Sequence, residues 1–156
     1  MFQWVPDHLA VLHRPLEGLS PGGVLAVLMP DKVAEPSHRL MQEAADALGL
    51  GHRVASAARD PLPAPAAHYD ALRPLSARLD LWPTTYHHPL DGAAAIVAWV
   101  AATGLKPSLA RLGLEERTRY LPTYEAGIAL AYPARADGRA LLAFPRLFLV
   151  AVRGEA

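Results

Sequence analysis

A long apolar stretch near the end of the chain limits the folds that this sequence can adopt. Between residues 140 and 152 only Pro145 and Arg146 are not apolar side chains of the kind found in protein cores. Because both faces of such a strand are apolar, the pattern predicts a strand inside a sheet, covered on both sides. Pro145 has no N–H group to donate to a neighbouring strand. We therefore expect a bend that separates 140–144 from 147–152 and turns Arg146 out of the core.

Length, charge and residue usage exclude several classes of protein. A chain of 156 residues fits one domain, and 15 basic against 15 acidic residues with no run of one sign indicate neither a nucleic acid nor a membrane partner. The lack of cysteine excludes disulfides and zinc-cysteine sites. The N-terminus has no basic segment followed by an apolar core, so it does not predict a secretory signal, and the longest uncharged apolar run, 92–105, is too short to span a bilayer. We expect a soluble, cytoplasmic protein.

Two more strands and two long helical regions complete the predicted fold. Residues 23–29 follow a Pro-Gly-Gly turn and are all apolar after the glycine, which predicts a short buried strand. Residues 79–87 alternate and are rich in aromatic and β-branched side chains, which predicts a strand that bends at Pro83. Helical insertions are expected at about 37–75 and 90–133. The predicted class is α/β, with three strands in one domain.

Seven short motifs distributed along the chain resemble one enzyme family, the class I S-adenosylmethionine-dependent methyltransferases. The motifs are QWVPDH (3–8), LSPGGVLAV (19–27), MPD (29–31), EPSH (35–38), WPTTYHH (82–88), WVAATGLKP (99–107) and LAFPRLF (142–148). The resemblance covers essentially the whole chain. It implies a Rossmann-like sheet whose last strand is antiparallel and lies between its two neighbours, in agreement with an interior position for 140–152.

The resemblance also implies an activity, with one important difference from the family. The implied reaction is methyl transfer from S-adenosylmethionine to a carboxylate of a small polycarboxylic acid of the trans-aconitate type. The family holds this cofactor with a Gly-rich loop after its first strand, whereas the paired glycines Gly22 and Gly23 precede a strand. We therefore expect the C-terminal, substrate-side half of a truncated methyltransferase, inactive alone. The alternatives are a non-catalytic binding or assembly module and a small-acid-binding protein that uses no cofactor.

A site for a tricarboxylate requires hydrogen-bond donors, which cationic and hydroxyl side chains next to apolar walls can supply. Arg146 is the first candidate, because an isolated charge in an apolar strand needs a partner or a cavity. The equal alternative is that Arg146 binds no substrate and only points to solvent or pairs with a structural carboxylate. Tyr86, His87 and His88 form a donor cluster at a strand end, where α/β sheets bind ligands. Successive residues of a strand face opposite sides, so the two histidines do not share a face.

Three further residues complete the candidate site. Tyr69 is a possible substrate donor from a helical lid. The resemblance implies that Gln3 and Trp4 border the cofactor and substrate. For Trp4, the somewhat favoured alternative is that its ring only fills space in the core. His8 and His13 are five residues apart, which is the wrong spacing for chelation from one helix, so we expect no metal.

The resemblance implies a partner as well as a substrate. In the family, the strand that corresponds to 23–29 pairs on one side with a strand that has no counterpart in this chain. An unpaired apolar edge recruits other strands, so we expect a homodimer through 23–29. Val27→Pro, near the middle of this edge, is expected to weaken the association.

Overall fold

The computed structural model describes residue 5 and residues 7–55 and 60–155. Within these residues the chain forms three strands and a series of helices, which confirms the predicted α/β class. In chain order the elements are α1 (His8–Glu17), β1 (Val24–Pro30), α2 (Pro36–Ala47), α3 (Gly51–Ala55), α4 (Pro65–Leu72), a 3-10 turn (Arg73–Leu75), β2 (Ser76–Leu90), α5 (Gly92–Ala101), α6 (Lys106–Ala110), α7 (Leu114–Ala131) and β3 (Ala140–Arg153).

The last strand lies in the middle of the sheet, as predicted. The strand order is β1-β3-β2. β1 and β3 are antiparallel, in a register that runs from Val24 opposite Val152 to Pro30 opposite Arg146. β2 is longer than the predicted 79–87 and continues through Pro83, which an outer strand accommodates because one of its edges needs no ladder bonds.

Pro145 does not divide β3. The strand is continuous from Ala140 to Arg153, so the two separate segments expected from the sequence are wrong. The N–H of Asp31 donates to the carbonyl of Pro145 at 3.0 Å, just beyond the end of β1. The N–H and C=O of one residue in an antiparallel strand point to the same side. Pro145 therefore lacks a donor only at the last position beside β1, where little of the ladder is lost.

The described residues fall into two compact units, each with its own core. The first comprises 1–31, 61–86 and 144–156, and the second comprises 32–60 and 87–143. The expectation of a single domain stays a prediction. No helix in the described parts of the chain is both long and apolar enough to cross a membrane.

The first unit is built on one face of the sheet. Helices α1 and α4 contribute Leu12, Leu16 and Leu72 to a core that also contains the following strand residues: Val27, Met29, Leu147, Leu149 and Ala151. The two helices are also joined by a hydrogen bond of 3.0 Å between the Nε2 atoms of His8 and His68, both buried.

The opposite face of β1 is open, contrary to the prediction of a strand buried on both sides. Val24 is 59% exposed and Leu28 38% exposed, while the intervening Val27 is buried. An apolar sequence alone does not distinguish a strand covered on both faces from one whose second face awaits a partner.

The second unit is mainly helical. Its core joins α2, α5 and α7 with the beginning of β3, and it includes the side chains of Met41, Ile96, Val100, Tyr120, Tyr124, Ile128, Ala140 and Leu142. Three tyrosines of this core are hydrogen-bonded to the backbone of α2.

Candidate functional site

Arg146 lies on the face of the sheet that α1 and α4 do not cover. Its neighbour Leu147 is 3% exposed and belongs to the core of the first unit, so alternation along β3 directs Arg146 to the other face. The same alternation places Phe144 and Phe148 on the face that carries Arg146. Across the ladder, Arg146 is opposite Pro30 of β1. Regular strand geometry, and not a bend, therefore takes the arginine out of the core.

Aromatic rings surround the guanidinium group. Its central carbon lies 4.9 Å from the ring centroid of Phe144 and 5.2 Å from that of Tyr86 in β2. Both distances are within the range of a cation–π interaction. One step along the same face, Trp82 stacks on Phe148 with ring centroids 5.4 Å apart and planes 8° apart. The rings of Phe144 and Tyr86 lie next to the guanidinium group and shield part of it from water.

The positive charge of Arg146 has no acidic partner in the described part of the chain. The five ion pairs formed there involve other residues, and none includes Arg146. Its Nε atom is buried and makes no hydrogen bond to a described residue. Burying a charged donor without a partner costs free energy, so the group is suited to bind an anion from outside. Of the two alternatives drawn from the sequence, pairing with a structural carboxylate is not observed among these residues.

Tyr69 makes no hydrogen bond or ring contact with Arg146 in the described part of the chain. It projects from α4, is 43% exposed, and lines an open cleft of about 770 Å³ beside β2. The cleft also contains Trp82 and an exposed ion pair between Arg78 and Asp80, with Nε and Oδ2 2.8 Å apart. Its lining includes neither Tyr86 nor Arg146. The role of Tyr69 as a substrate donor therefore stays a prediction without support from a contact.

His87 and His88 belong to the second unit and differ in their surroundings. His87 is exposed, whereas His88 is half-buried and packs against Trp99 of α5 with ring centroids 4.8 Å apart. Alternation along β2 accounts for the difference. In the described residues no group of three or more potential ligands is placed to hold a metal ion. Gln3 and Trp4, the predicted cofactor neighbours, lie outside the described residues.

Three tyrosines of the second unit use their hydroxyl groups in hydrogen bonds to the backbone of α2. The hydroxyl of Tyr124 donates to the carbonyl of Ser37 at 2.6 Å, and the N–H of Ser37 donates to the hydroxyl of Tyr132 at 3.1 Å. The hydroxyl of Tyr120 donates to the carbonyl of Met41 at 3.0 Å. Burial raises the pKa of the Tyr120 and Tyr124 hydroxyls well above the ordinary value. These groups hold α2 against α7 and are not free to bind a ligand.

Phe144 was missed as part of the site, although the sequence contained the necessary signal. Residues two apart on a strand share a face, so Phe144 and Phe148 were both predictable neighbours of Arg146. Tyr86, in the next strand, is one of the residues predicted from the sequence, and its ring lies beside the guanidinium group. Its contact with the guanidinium group depends on the register between β2 and β3, which alternation within one strand does not reveal.

The fold corresponds to part of the class I methyltransferase architecture, and named methyltransferases align with nearly all of the chain. Proteins from Rhodopseudomonas palustris strain HaA2, Rhizobium leguminosarum bv. trifolii strain WSM2304 and Agrobacterium fabrum strain C58 are 56%, 51% and 51% identical to it over 155, 156 and 160 residues. Each of the three is named trans-aconitate 2-methyltransferase. The resemblance drawn from the motifs is thus confirmed, and the chain is a homologue of these methyltransferases.

The alignments differ in how much of each partner they cover. They include 98% or 99% of this chain but only 60% or 61% of the three relatives. The chain therefore spans about three fifths of the length of the relatives that it matches. No family model matches it.

The described residues do not fit a methyl-donor site by themselves. β1 is followed by Asp31 and Lys32, β2 by Asp91 and Gly92, and β3 by Gly154. Nucleotide-type cofactors in such sheets are bound by several glycines in a loop directly after a strand. None of these three positions has such a loop.

Proposed function

We propose that this chain carries the substrate-carboxylate site of an S-adenosylmethionine-dependent methyltransferase that acts on trans-aconitate or a related small polycarboxylic acid. The observation that supports this proposal is the environment of Arg146, a cation held between Phe144 and Tyr86 with no acidic partner among the described residues. The names of the relatives supply the substrate class, and the arginine supplies a chemical reason for it.

The chemistry of a carboxylate methyl acceptor explains why a binding site of this kind is sufficient. With a reference pKa of about 4, a carboxylic acid is already ionised at neutral pH and needs no base to become a nucleophile. The protein has to orient the carboxylate and to compensate for the loss of its hydration. A planar guanidinium group binds a carboxylate through two parallel N–H···O bonds and so fixes its orientation.

The aromatic walls serve this role in two ways. Phe144 and Tyr86 restrict the rotation of the guanidinium group, which lowers the entropy lost when a carboxylate binds. They also replace water on the faces of the group with polarizable rings, and lower local polarity strengthens the ion pair with the ligand. A carboxylate would bind at the N–H groups along the edge of the guanidinium plane.

Methyl transfer also requires a bound donor, which the proposal assigns to polypeptide outside the described residues. The relatives are longer than the matched region, and no strand described here is followed by a Gly-rich loop. We infer that the chain corresponds to the substrate-side, C-terminal part of such an enzyme and that it is inactive without the remainder. S-Adenosylmethionine is the expected cofactor of the complete enzyme.

Titration of the purified chain with trans-aconitate tests the proposal directly. We expect saturable changes in the NMR signals of the residues around Arg146, and loss of binding by about tenfold or more in Arg146→Lys, since charged hydrogen bonds contribute about 1.5–3 kcal/mol. Arg78→Lys is the matched control, because Arg78 is exposed and pairs with Asp80. An equal effect of the two substitutions, or no saturable binding, would refute the assignment.

The second candidate, a non-catalytic binding or assembly module, is favoured by a different observation. β1 leaves an apolar face exposed at an outer edge of the sheet. A module of this kind would associate with a protein partner whether or not Arg146 is intact, so association measured in Arg146→Lys separates the two functions.

A further inference from the structure

Two histidine rings meet inside the first unit, and the methyl-transfer chemistry uses neither of them. The Nε2 atom of His8 in α1 lies 3.0 Å from the Nε2 atom of His68 in α4, and the ring centroids are 5.2 Å apart. His8 is 8% exposed and His68 0% exposed. At this distance the two nitrogens share a hydrogen bond, so one carries a proton and the other accepts it. These two residues form the histidine pair.

A second hydrogen bond decides which ring of the histidine pair is the donor. The Nδ1 atom of His68 lies 3.2 Å from the carbonyl oxygen of Ala64. A carbonyl only accepts, so Nδ1 of His68 carries a proton, and the neutral ring then has its electron pair at Nε2. His8 therefore donates from its own Nε2. Both nitrogens of His68 are used in this arrangement, and each of the two bonds requires one particular protonation state.

The described surroundings of His68 are apolar. Helical spacing places His68 on the same side of α4 as Leu72, and His8 on the same side of α1 as Leu12 and Leu16. The sheet below presents to this core the side chains of Val27, Met29, Leu79, Leu81, Leu147, Leu149 and Ala151.

The titratable side chains nearby lie elsewhere on these elements. Those of α1 and α4 and of the residue before α1 are exposed or half-exposed: Asp7, His13, Arg14, Glu17, Tyr69 and Asp70. In the 3-10 turn, Arg73 donates to the carbonyl of Ser76. At the end of β3, Arg153 donates to the carbonyl of Leu75 at 3.1 Å. A charge on His68 would therefore be surrounded by apolar side chains.

The histidine pair is compatible with one added proton but not with two. A first proton can bind at Nδ1 of His8, because Nε2 of His8 then still donates to His68. A second proton would bind at Nε2 of His68 and place two N–H groups against each other, on two positively charged rings. The two charges would repel, and His68 would lose its hydration in an apolar core. The folded chain therefore excludes a proton that two free imidazoles would take up.

We propose that the histidine pair is an acid-sensitive contact that holds α4 against α1 near neutral pH and is broken by acid. Free imidazole takes up a proton as the pH falls through about 6.5. Below that pH the unfolded chain binds one more proton than the folded chain, so the stability of the fold decreases as the pH decreases. Between pH 6.5 and pH 5, one excluded proton raises the equilibrium constant for unfolding by about 30-fold.

Side-chain NMR of the parent chain follows these protons directly. Long-range ¹H–¹⁵N spectra distinguish the two neutral tautomers of each ring from the charged form, so we would titrate from pH 8 to pH 5. We expect His68 in its Nδ1–H form at pH 8, and we expect the amide signals of α1 and α4 to change when the pair takes up its second proton. The exposed His52 is the reference for a ring that titrates freely. Two charged rings at pH 5 with unchanged signals from α1 and α4 would overturn the proposal.

A conservative variant measures the energetic effect. In His68→Gln the amide oxygen can accept the bond from His8, while the ring that excludes a proton is gone. Urea unfolding at pH 7.5 and pH 5, where most carboxylates stay ionised, gives the rise in the unfolding constant. This rise should be about tenfold or more smaller in His68→Gln than in the parent chain, and the control His52→Gln should match the parent. An equal rise in all three chains would overturn the proposal. If His68→Gln does not fold, the NMR titration of the parent chain decides it.

Discussion

The hydrogen bond between Tyr124 and Ser37 offers a sharp test of how the second unit is held together. Tyr124 is fully buried, and its hydroxyl donates to the carbonyl of Ser37 at 2.6 Å, across 87 residues of sequence. Tyr124→Phe keeps the ring but leaves that buried carbonyl without its donor. Leaving a buried polar group unsatisfied costs about 1–3 kcal/mol, so the free energy of unfolding at pH 7 should fall by about that amount.

The same tyrosine gives the substitution a pH signature. Burial raises the pKa of Tyr124 and Tyr120 above the ordinary value of 10, so the folded state keeps both protons where the unfolded state begins to lose them. Their contribution is fully present below about pH 10 and is lost as the pH rises toward the folded-state pKa. Between pH 9 and pH 11 the contribution of each hydroxyl to the free energy of unfolding should fall by about 1.4 kcal/mol. Tyr124→Phe, which lacks one of these hydroxyls, should therefore lose less stability over this pH range than the parent chain.

Urea unfolding followed by circular dichroism at pH 7, 9 and 11 measures both effects. Tyr69→Phe is the matched control, because Tyr69 is 43% exposed and should lose less than about 0.5 kcal/mol. If Tyr124→Phe were as stable as the parent chain at pH 7, the buried hydrogen bond would not hold α2 to α7. If the free energy of unfolding fell equally for Tyr124→Phe and for the parent chain between pH 9 and pH 11, burial would not be keeping the Tyr124 hydroxyl protonated. That result would refute the reasoning.

Three further predictions address the site and the first unit. In an enzyme that joins this chain to the unmatched part of a relative, Arg146→Lys should lower kcat/KM by about 10–100-fold and the exposed Lys106→Ala by less than about fivefold; the reverse order would remove Arg146 from the site. The chain alone should give no saturable calorimetric signal with S-adenosylmethionine, and clear one-site binding would contradict the assignment of the donor site to other polypeptide. His68→Ala removes a fully buried ring that is hydrogen-bonded to His8, so it should lower the free energy of unfolding in urea by about 2–4 kcal/mol. The control His52→Ala, at an exposed position, should lower it by under about 0.5 kcal/mol. Equal effects would show that this contact does not join α1 to α4.

Much of the architecture could be predicted because it depends on local pattern. The apolar run at 140–152 identified the central strand, and its single charge identified Arg146 as the residue to explain. Motif similarity then supplied the family and the position of the antiparallel last strand. These signals lie within a few neighbouring residues, where alternation and turn chemistry act directly.

The sequence by itself determined the strand order, the family and the identity of the unusual charge. The tertiary structure decided what each of these residues contacts. It showed that Pro145 lies where β1 ends, so that its missing N–H does not divide the strand. It placed Phe144 and Tyr86 around Arg146, engaged Tyr124 in the core, and left one face of β1 open. These outcomes depend on register and packing between distant segments, and residues that are far apart in sequence carry no local signal of which partner they meet.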